Sequence, residues 1–401
     1  MTTQNLETPS QTPPGVKEEQ EDERKRRLLL VILLFLLLLC CFVGFLFIRY
    51  LAKPQPLPQL LPIPVGNYPP AYKSSIVGVD RPVGVAASPD NQRVYVTESS
   101  GQNLIKIFDR NGNLIGSFSP FGTTQYSRLL FYIAVDATGR IYVVDRFNNS
   151  IDLFDANGNQ LDGIIAPDMT LSKFVSQHLS GGIPAGTKLG YDGLNLEVLY
   201  QLPGQSMQRV KFTPSGANWA PLGIRFDLQG DLIYTDITTG SHSVHIIPAA
   251  DINAPWLTFN PAIKEFGSMG KGTGQMQFPQ STLTDSKGNF YVSDGNNSRI
   301  EVFGPNFAYS TFFGFGSGAD GLNLPRGMWL DSKSHLHVAD AVGAVIRVYD
   351  VSGSTPQFLY TFGEPGADDG QFNYPVDITM DGTGRLYIAD RDNDRVQIWS
   401  Y

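Results

Sequence analysis

The feature that most constrains this fold is a spaced frame of four residues that recurs along the chain. In its last copy, Pro375 is followed by Asp381, Gly384 and Asp390, with five, two and five residues between them. The other five copies keep the frame in full or with changes: Pro279, Asp285, Gly288 and Asp294; Pro221, Asp227, Gly230 and Asp236; Pro325, Asp331, Ser334 and Asp340; Leu130, Asp136, Gly139 and Asp145; Pro82, Ser88 and Glu98, with one extra residue in the turn. Recurrence of this kind indicates a repeat architecture with six units.

Each copy has the sequence pattern of four short strands. An apolar alternation such as VDITM precedes the Asp-x-x-Gly turn, and a second alternation such as RLYIAD follows it. Asp bonds the turn backbone and Gly adopts positive φ, so the pair predicts a hairpin. Third strands end on an aromatic, as in RIEVF and RVQIWS, and fourth strands are visible in FLYTFG and STFFG. Six such units predict an all-β, six-bladed β-propeller with four-stranded antiparallel blades.

The two ends of the repeat region predict how the ring closes. The chain stops at Tyr401, after the third strand of the last copy. Residues 72–78, YKSSIVG, have the pattern of a fourth strand and precede the first copy. Pairing them with residues 395–400 would remove two exposed sheet edges. We therefore expect a propeller over residues 72–401, closed by its N-terminal strand.

The loops of this region resemble those of a known family, the NHL-repeat propellers. The segments FGSMGKGTGQMQFP and FGEPGADDGQFNYP are similar to the loops between blades in that family, and VSDGNNSRIEVF and IADRDNDRVQIW are similar to its turn between the second and third strands. The resemblance extends over roughly residues 72–401. It implies that the turns after the second strands and the loops between blades emerge on one face.

The N-terminal region predicts a membrane anchor. Residues 28–48 are 21 uninterrupted apolar or Gly positions, enough for a helix to span about 30 Å of hydrocarbon. Four basic residues precede this run and only Arg49 and Lys53 follow it closely, so the positive-inside rule predicts a cytoplasmic N-terminus and a propeller outside. Residues 1–27 are expected to be a disordered cytoplasmic tail, and residues 49–71 a Pro-rich linker. The prediction is a single-pass protein of the cell membrane.

The net charge and the cysteine content indicate which class of partner is excluded and which kind of organism is the source. The formal net charge is -8; residues 1–53, with six acids and seven bases, carry +1, and the rest of the chain carries -9, so we predict no nucleic-acid partner. Cys40 and Cys41 are the only cysteines and both lie in the apolar run. The propeller therefore has no disulfide, which favours a bacterial source.

The predicted binding face carries charged residues from all six copies. The candidates, which end the second strands or follow them directly, are Glu98, Asp145, Arg146, Asp236, Asp294, Asp340, Asp390 and Arg391. Six acids together are typical of a cation site. The favoured alternative is that they hold their own turns, since Asp294 with Asn297 and Arg299 has the spacing for side-chain hydrogen bonds.

Histidines give only weak evidence for a metal. His242 and His245 lie close together in a turn of the third copy, but two histidines in a loop do not make a site. His335 and His337 share one strand, and His337 occupies the position of Tyr387 and Tyr291, which favours packing. We predict no cofactor and no metal.

One insertion interrupts the period. The spacing between Asp145 and Asp236 is 91 residues, against 46 to 58 for the other copies. The insertion, at about 166–220, is long and contains apolar stretches, and long structured loops are often functional. We hypothesise that it shapes the binding surface and lies over the central channel.

The sequence favours recognition over catalysis. It shows no phosphate loop, nucleophile elbow or zinc-spaced cysteines. The predicted function is an extracytoplasmic module that binds a protein, peptide or glycan. Two alternatives stay open: a metal-dependent lyase or lactonase, as the resemblance to propeller enzymes implies, and a scaffold for envelope or secreted-complex assembly.

Overall fold

The structure is a computed structural model that describes residues 14–52, 68–179, 183–192, 195–202, 204–212 and 219–401. The chain divides into two compact units, residues 1–66 and 67–401.

The described residues of the first unit form one helix, α1 (Pro14–Ala52). The helix begins within the predicted tail, and residues 17–27 consist of Glu, Gln, Asp, Lys and Arg, most of which are strong helix formers. Residues 1–13, and residues 53–67 of the predicted linker, lie outside the described residues.

The predicted membrane span falls within α1. In the described part of the chain, no helix is long and apolar enough to cross a membrane. The span predicted over 28–48 is therefore not confirmed. Its side chains at 43 and 46–48 lie outside the described residues.

The described part of the second unit is built mainly from short antiparallel sheets. After β1 (Ala71–Ile76), sheet 1 contains β2 (Pro82–Ala87), β3 (Arg93–Glu98), β4 (Ile105–Asp109) and β5 (Leu114–Phe118). Sheet 2 contains β6 (Leu130–Val135), β7 (Ile141–Asp145), β8 (Ser150–Phe154), β9 (Gln160–Ala166) and β10 (Met169–Thr170). The insertion follows, with α2 (Leu171–His178) and a three-stranded sheet of β11 (Lys188–Asp192), β12 (Asn195–Tyr200) and β13 (Gln208–Phe212).

The remaining sheets follow the same plan. Sheet 3 contains β14 (Pro221–Phe226), β15 (Leu232–Asp236), β16 (Ser243–Ile247) and β17 (Lys264–Phe266), with α3 (Ala249–Ile252) before its last strand. A short pair, β18 (Ser268–Met269) and β19 (Gln275–Met276), leads to sheet 4, which contains β20 (Pro279–Thr284), β21 (Phe290–Asp294), β22 (Arg299–Phe303) and β23 (Tyr309–Phe313). Sheet 5 contains β24 (Pro325–Leu330), β25 (His335–Asp340), β26 (Val345–Asp350) and β27 (Gln357–Phe362). A second pair, β28 (Glu364–Pro365) and β29 (Gln371–Phe372), leads to sheet 6, with β30 (Pro375–Met380), β31 (Arg385–Asp390) and β32 (Arg395–Ser400).

The Asp-x-x-Gly turns form the predicted hairpins. In the last copy, Asp381 Oδ1 accepts the backbone N–H groups of Thr383 and Arg385, at 2.8 and 3.1 Å. Gly384 has φ of +84°, a conformation that a residue without Cβ adopts at little cost. Buried tyrosines reach back to the turn, as Tyr387 donates to Asp381 Oδ2 at 3.2 Å. His337 takes the same place in sheet 5, with Nε2 3.6 Å from Asp331 Oδ2, so the packing interpretation of this histidine is confirmed.

Strand β1 completes sheet 6 as the sequence predicts. It pairs antiparallel with β32, with Tyr72 opposite Trp399 and Ile76 opposite Val396. The last sheet therefore has the order β1, β32, β31, β30, and combines the first and last strands of the second unit.

The first strands of the six sheets pack side by side in a closed order. β2 contacts β6, and the order continues through β14, β20, β24 and β30 back to β2. Glycines permit the close approach, since a Cβ on Gly223 would lie 2.2 Å from the Gln280 carbonyl oxygen. The described residues thus form a propeller-like ring of sheets, with apolar clusters packed between neighbouring sheets.

The described part of the insertion packs on the outer strands of sheet 2. Tyr191 donates its hydroxyl to Asp152 on β8, and its backbone N–H donates to the Phe121 carbonyl. The backbone N–H of Ser172, in α2, donates to Asp162 on β9. Residues 180–182, 193–194, 203 and 213–218 of the insertion lie outside the described residues. These contacts are with outer strands and with the loop before sheet 2. Trp219, at the end of the insertion, is instead buried in the cluster that contains Val83 and Leu222 of the first strands, and its Nε1 donates to the Asn149 carbonyl.

Candidate functional site

The strand register brings the six predicted acids to one side of the ring. In every sheet the first residue of the inner strand pairs with the acid that ends the second strand, as Pro375 pairs with Asp390 and Leu130 with Asp145. Because the inner strands run side by side, the six acids share one side of the propeller-like ring. We call this side the channel face: the starts of the inner strands, with the turns that follow Glu98, Asp145, Asp236, Asp294, Asp340 and Asp390.

The acids themselves are buried. Five of them are fully buried, and Asp236 is 4% exposed. Each accepts a backbone N–H from the segment just before the inner strand of its own sheet: Glu98 from Asp80, Asp145 from Leu129, Asp236 from Ala220, Asp294 from Gln277, Asp340 from Leu324, and Asp390 from Asn373. The carboxylates thus tie the entrance of each inner strand to the end of the second strand.

The same acids also hold their own turns. Asp390 accepts from Asn393 Nδ2 at 2.9 Å and from Arg395 Nε at 2.8 Å. Asp294 accepts from Asn297 Nδ2 at 2.7 Å and from Arg299 Nε at 3.1 Å. The side-chain hydrogen bonds that the spacing indicates are therefore present, and each of these two acids has a structural partner in its own turn and in the following strand.

No metal-binding cluster is found among the described residues. His242 Nδ1 accepts the backbone N–H of Phe278 at 3.2 Å. His245 stacks on Tyr234, with ring centroids 5.0 Å apart, and its Nε2 lies 2.8 Å from Ser243 Oγ. Burial lowers the pKa of His245. Both histidines thus have partners other than a metal within the described residues.

The two predicted arginines occupy different surroundings. Arg391 binds Asp392 through Nε, at 2.8 Å, and its guanidinium lies 3.8 Å from the centroid of the Tyr374 ring. Arg146 Nη1 donates to Asn149 Oδ1 at 2.9 Å and to the Pro221 carbonyl at 3.2 Å, which links sheet 2 to sheet 3. Burial lowers the pKa of Arg146, while the charges of Asp236 and Asp145 oppose this shift.

Apolar side chains, which the sequence analysis did not single out, are exposed on the channel face. Leu129 and Phe278 directly precede inner strands, and they are 36% and 42% exposed. Phe147 and Val342 follow the acids of sheets 2 and 5 by two residues, and they are 39% and 62% exposed. We call these four residues the apolar rim.

Some residues at the start of the inner strands have unusual backbone conformations. Arg81, Phe278 and Tyr374 each precede a proline that opens an inner strand, and their φ values are +45°, +54° and +62°. Bulky residues rarely adopt positive φ, and such strain tends to cluster at functional sites. Three copies therefore hold a large side chain at the same strained position of the channel face.

A buried ion pair crosses the ring. Arg225, on the inner strand of sheet 3, donates through Nη2 to Asp377 Oδ1 at 2.6 Å, on the inner strand of sheet 6. Asp377 Oδ2 accepts the backbone N–H of Val85 in sheet 1 at 3.0 Å. Since sheets 3 and 6 stand three places apart in a ring of six, the pair bridges opposite inner strands. Its only sequence signal is a charged residue inside an otherwise uncharged strand, as in PLGIRF and PVDITM.

Comparison with known proteins identifies the repeat. The sequence model of the NHL repeat matches residues 372–399, which cover the inner, second and third strands of sheet 6. The chain carries an NHL repeat. The NHL repeat-containing protein 3 of Homo sapiens is 42% identical over 41 residues, which are 10% of this chain and 12% of that protein. The chain thus covers about an eighth of the length of this curated relative.

Solved structures similar to this NHL-repeat chain are propellers of differing function. A virginiamycin B lyase from Staphylococcus aureus with quinupristin matches with 12% identity and a TM-score of 0.50, over 82% of this chain and 100% of that one. A gluconolactonase from Xanthomonas campestris matches with 17% identity and a TM-score of 0.50, over 83% of this chain and 95% of that one. At these identities the likeness shows the fold alone.

Proposed function

We propose that the six sheets are the six blades of one propeller and that this propeller is a recognition module, which binds a protein or peptide at the channel face. The observation that supports this most is the apolar rim, because sheets 2, 4 and 5 together expose four apolar side chains on the channel face. Exposed apolar groups near a set of polar ones are typical of protein-binding surfaces.

The burial and hydrogen bonding of the six acids support recognition of a partner rather than metal-dependent chemistry. Their carboxylates are buried and bonded to the backbone of their own sheets. The exposed groups of the channel face include the apolar rim and the Arg81 guanidinium, whose side chain is 50% exposed, beside uncharged polar groups and the carboxylate of Asp394. This combination suits a partner that presents apolar and acidic side chains.

The experiment uses the full chain as bait for a phage-displayed random peptide library. Selected peptides are synthesised, and their Kd is measured by fluorescence anisotropy for the wild type and for the double variant Phe147→Ser and Phe278→Ser. We expect the variant to bind at least about tenfold more weakly, a loss of about 1.4 kcal/mol. The matched control is Ile115→Ser with Leu228→Ser, since these side chains are 54% and 75% exposed but lie on an outer strand and on the turn opposite the channel face.

Two results would overturn this proposal. Equal affinity of wild type and rim variant would exclude the apolar rim as the binding surface. Turnover of a lactone or of quinupristin by the purified chain, with or without added divalent metal, would favour the lyase or lactonase alternative. A glycan array tests the glycan alternative with the same variants, and a bacterial envelope complex that falls apart without this chain would support the scaffold alternative.

The location outside the cytoplasm is part of the proposal. It is supported by the excess of basic residues before the apolar run of residues 28–48. Protease digestion of intact cells tests it: cleavage of the propeller in intact cells is expected, and protection until the cells are lysed would contradict it.

A further inference from the structure

Four sheets contribute a side chain to one polar cluster at the start of the inner strands. We call it the channel cluster, and it consists of Tyr132, Gln280, Arg326 and Tyr374. Arg326, on β24, donates through Nη1 to Gln280 Oε1 at 2.6 Å and through Nη2 to the Tyr374 hydroxyl at 2.8 Å. Its guanidinium also lies 5.6 Å from the centroid of the Tyr374 ring. Two neighbouring sheets thus hold the guanidinium in place.

Arg326 lacks the carboxylate partner that three buried arginines have. Arg225, Arg299 and Arg395 each bind a buried aspartate. Among the described residues, no carboxylate lies within salt-bridge distance of Arg326, and both of its acceptors are uncharged. Its Nε is buried, and no described residue accepts a hydrogen bond from it. A partly buried cation without an anion is costly, so this site is electrostatically incomplete.

Tyr132 adds a second donor without a partner. Its side chain is 1% exposed, and its hydroxyl finds no hydrogen-bond partner within the described residues. Tyr132 belongs to the apolar cluster against which Tyr374 packs. Burial raises the pKa of the Tyr132 phenol; the charges of Arg326 and Arg225 oppose this shift, and that of Asp377 adds to it. The phenol therefore keeps its proton at neutral pH and is available as a donor.

We propose that the channel cluster binds a carboxylate of the partner, with Arg326 Nε and the Tyr132 hydroxyl as donors. The inference rests on the proposed function, since it assigns a chemical group to the partner that the channel face binds. Two donors match the two oxygens of a carboxylate, whereas a phosphate would leave further oxygens without donors. The carboxylate neutralises Arg326, and the apolar rim contacts the neighbouring residues of the peptide.

The first experiment detects the site without any peptide. The arginine Nε–H signals of the full chain, labelled with 15N, are recorded during titrations with acetate and with inorganic phosphate. We expect a saturable shift of the Arg326 signal with acetate, a weaker response to phosphate, and loss of the acetate response in Tyr132→Phe. No shift of the Arg326 signal at saturating acetate would overturn the inference.

The second experiment measures the contribution to peptide affinity. Peptides selected as above are compared with versions in which the acidic side chains are replaced by amides or the C-terminus is amidated, which distinguishes the two sources of carboxylate. Arg326→Gln is expected to weaken binding of the acidic version at least about tenfold, with an intermediate loss for Arg326→Lys, which keeps the charge but not the planar fork. The control Arg209→Gln removes an arginine whose side chain is 60% exposed and pairs with Glu197 in the insertion.

The outcomes separate this inference from the proposed function. Peptides that depend on the apolar rim but bind Arg326→Gln as tightly as wild type would refute the carboxylate site and leave the recognition function intact. An acetate response at Arg326 in a chain that selects no peptide would support the site and count against peptide recognition.

Discussion

At the scale of single residues, the acid that ends the second strand of each sheet has a structural role. Asp390 is buried and receives hydrogen bonds from the Asn373 backbone and from the side chains of Asn393, Arg395 and Gln397. The bond to the backbone recurs in all six sheets, although the side-chain partners differ. The acid recurs because one carboxylate satisfies a buried backbone donor and fixes a turn at the same time.

We predict that Asp390→Ala strongly destabilises the propeller. The change leaves the Arg395 guanidinium without its buried partner and the Asn373 N–H without an acceptor. Breaking a buried pair in this way costs about 3–5 kcal/mol. Urea denaturation followed by tryptophan fluorescence measures the free energy of unfolding, with the exposed Asp168→Ala as the control. A loss comparable to that of the control would show that Asp390 is dispensable to the fold.

The buried carboxyl of Asp162 predicts a pH dependence. Burial raises the pKa of Asp162 to about 6 against an ordinary 3.8, although hydrogen bonds from Ser172 and the Gly163 backbone oppose this. The native state therefore keeps a proton that the unfolded state releases, and the free energy of unfolding falls as pH rises from about 4 to about 6.

Asp162→Asn should reduce this fall, since an amide does not ionise. The measurement compares the free energy of unfolding at pH 4 and pH 7 for both chains. A difference of about 1–3 kcal/mol in their pH dependence is expected. Parallel pH profiles for wild type and variant would mean that Asp162 does not titrate in this range.

At the scale of elements, the strands and turns that follow from the spacing of the repeated frame were predicted from the sequence. Strand alternation, the Asp-x-x-Gly turns and the closing strand depend on local spacing, and the structure has them at the predicted places. The helical part before residue 28 was not predicted, because charged composition was interpreted as disorder although Glu, Gln, Lys and Arg are strong helix formers. The channel cluster could not be predicted either, since its residues occupy different positions of the frame and meet only through the ring.

The closing strand gives a prediction at this scale. Ile76 is 1% exposed and packs in a cluster with Val396 and Ile398 of the last strand, whereas its neighbour Val77 is 68% exposed. Ile76→Ala should lower the free energy of unfolding by about 2–5 kcal/mol, because it leaves a cavity at the closure of the ring. Val77→Ala is the matched control and should change it by less than about 0.5 kcal/mol. Equal effects of the two changes in urea denaturation would indicate that β1 does not close the ring in solution.

At the scale of the whole molecule, contacts between distant sheets organise the ring. Arg225 and Asp377 are separated by 152 residues and meet across it. Arg326 and Tyr374 come from neighbouring sheets and meet at the channel face. The candidate site is therefore a property of the closed ring and not of any one copy of the frame. Its acids were predicted from the sequence, but the buried arginines and the apolar rim depend on how the copies meet.

The central claim is that the channel face binds the partner, and hydrogen–deuterium exchange tests it most directly. The full chain is compared with and without a saturating selected peptide. We predict slower exchange in the turns at residues 146–149 and 341–344 and in the segments at 276–280 and 323–327, with no change in the opposite turns at 228–230, 286–288 and 382–384. Protection confined to the opposite turns or to the outer strands would contradict the account.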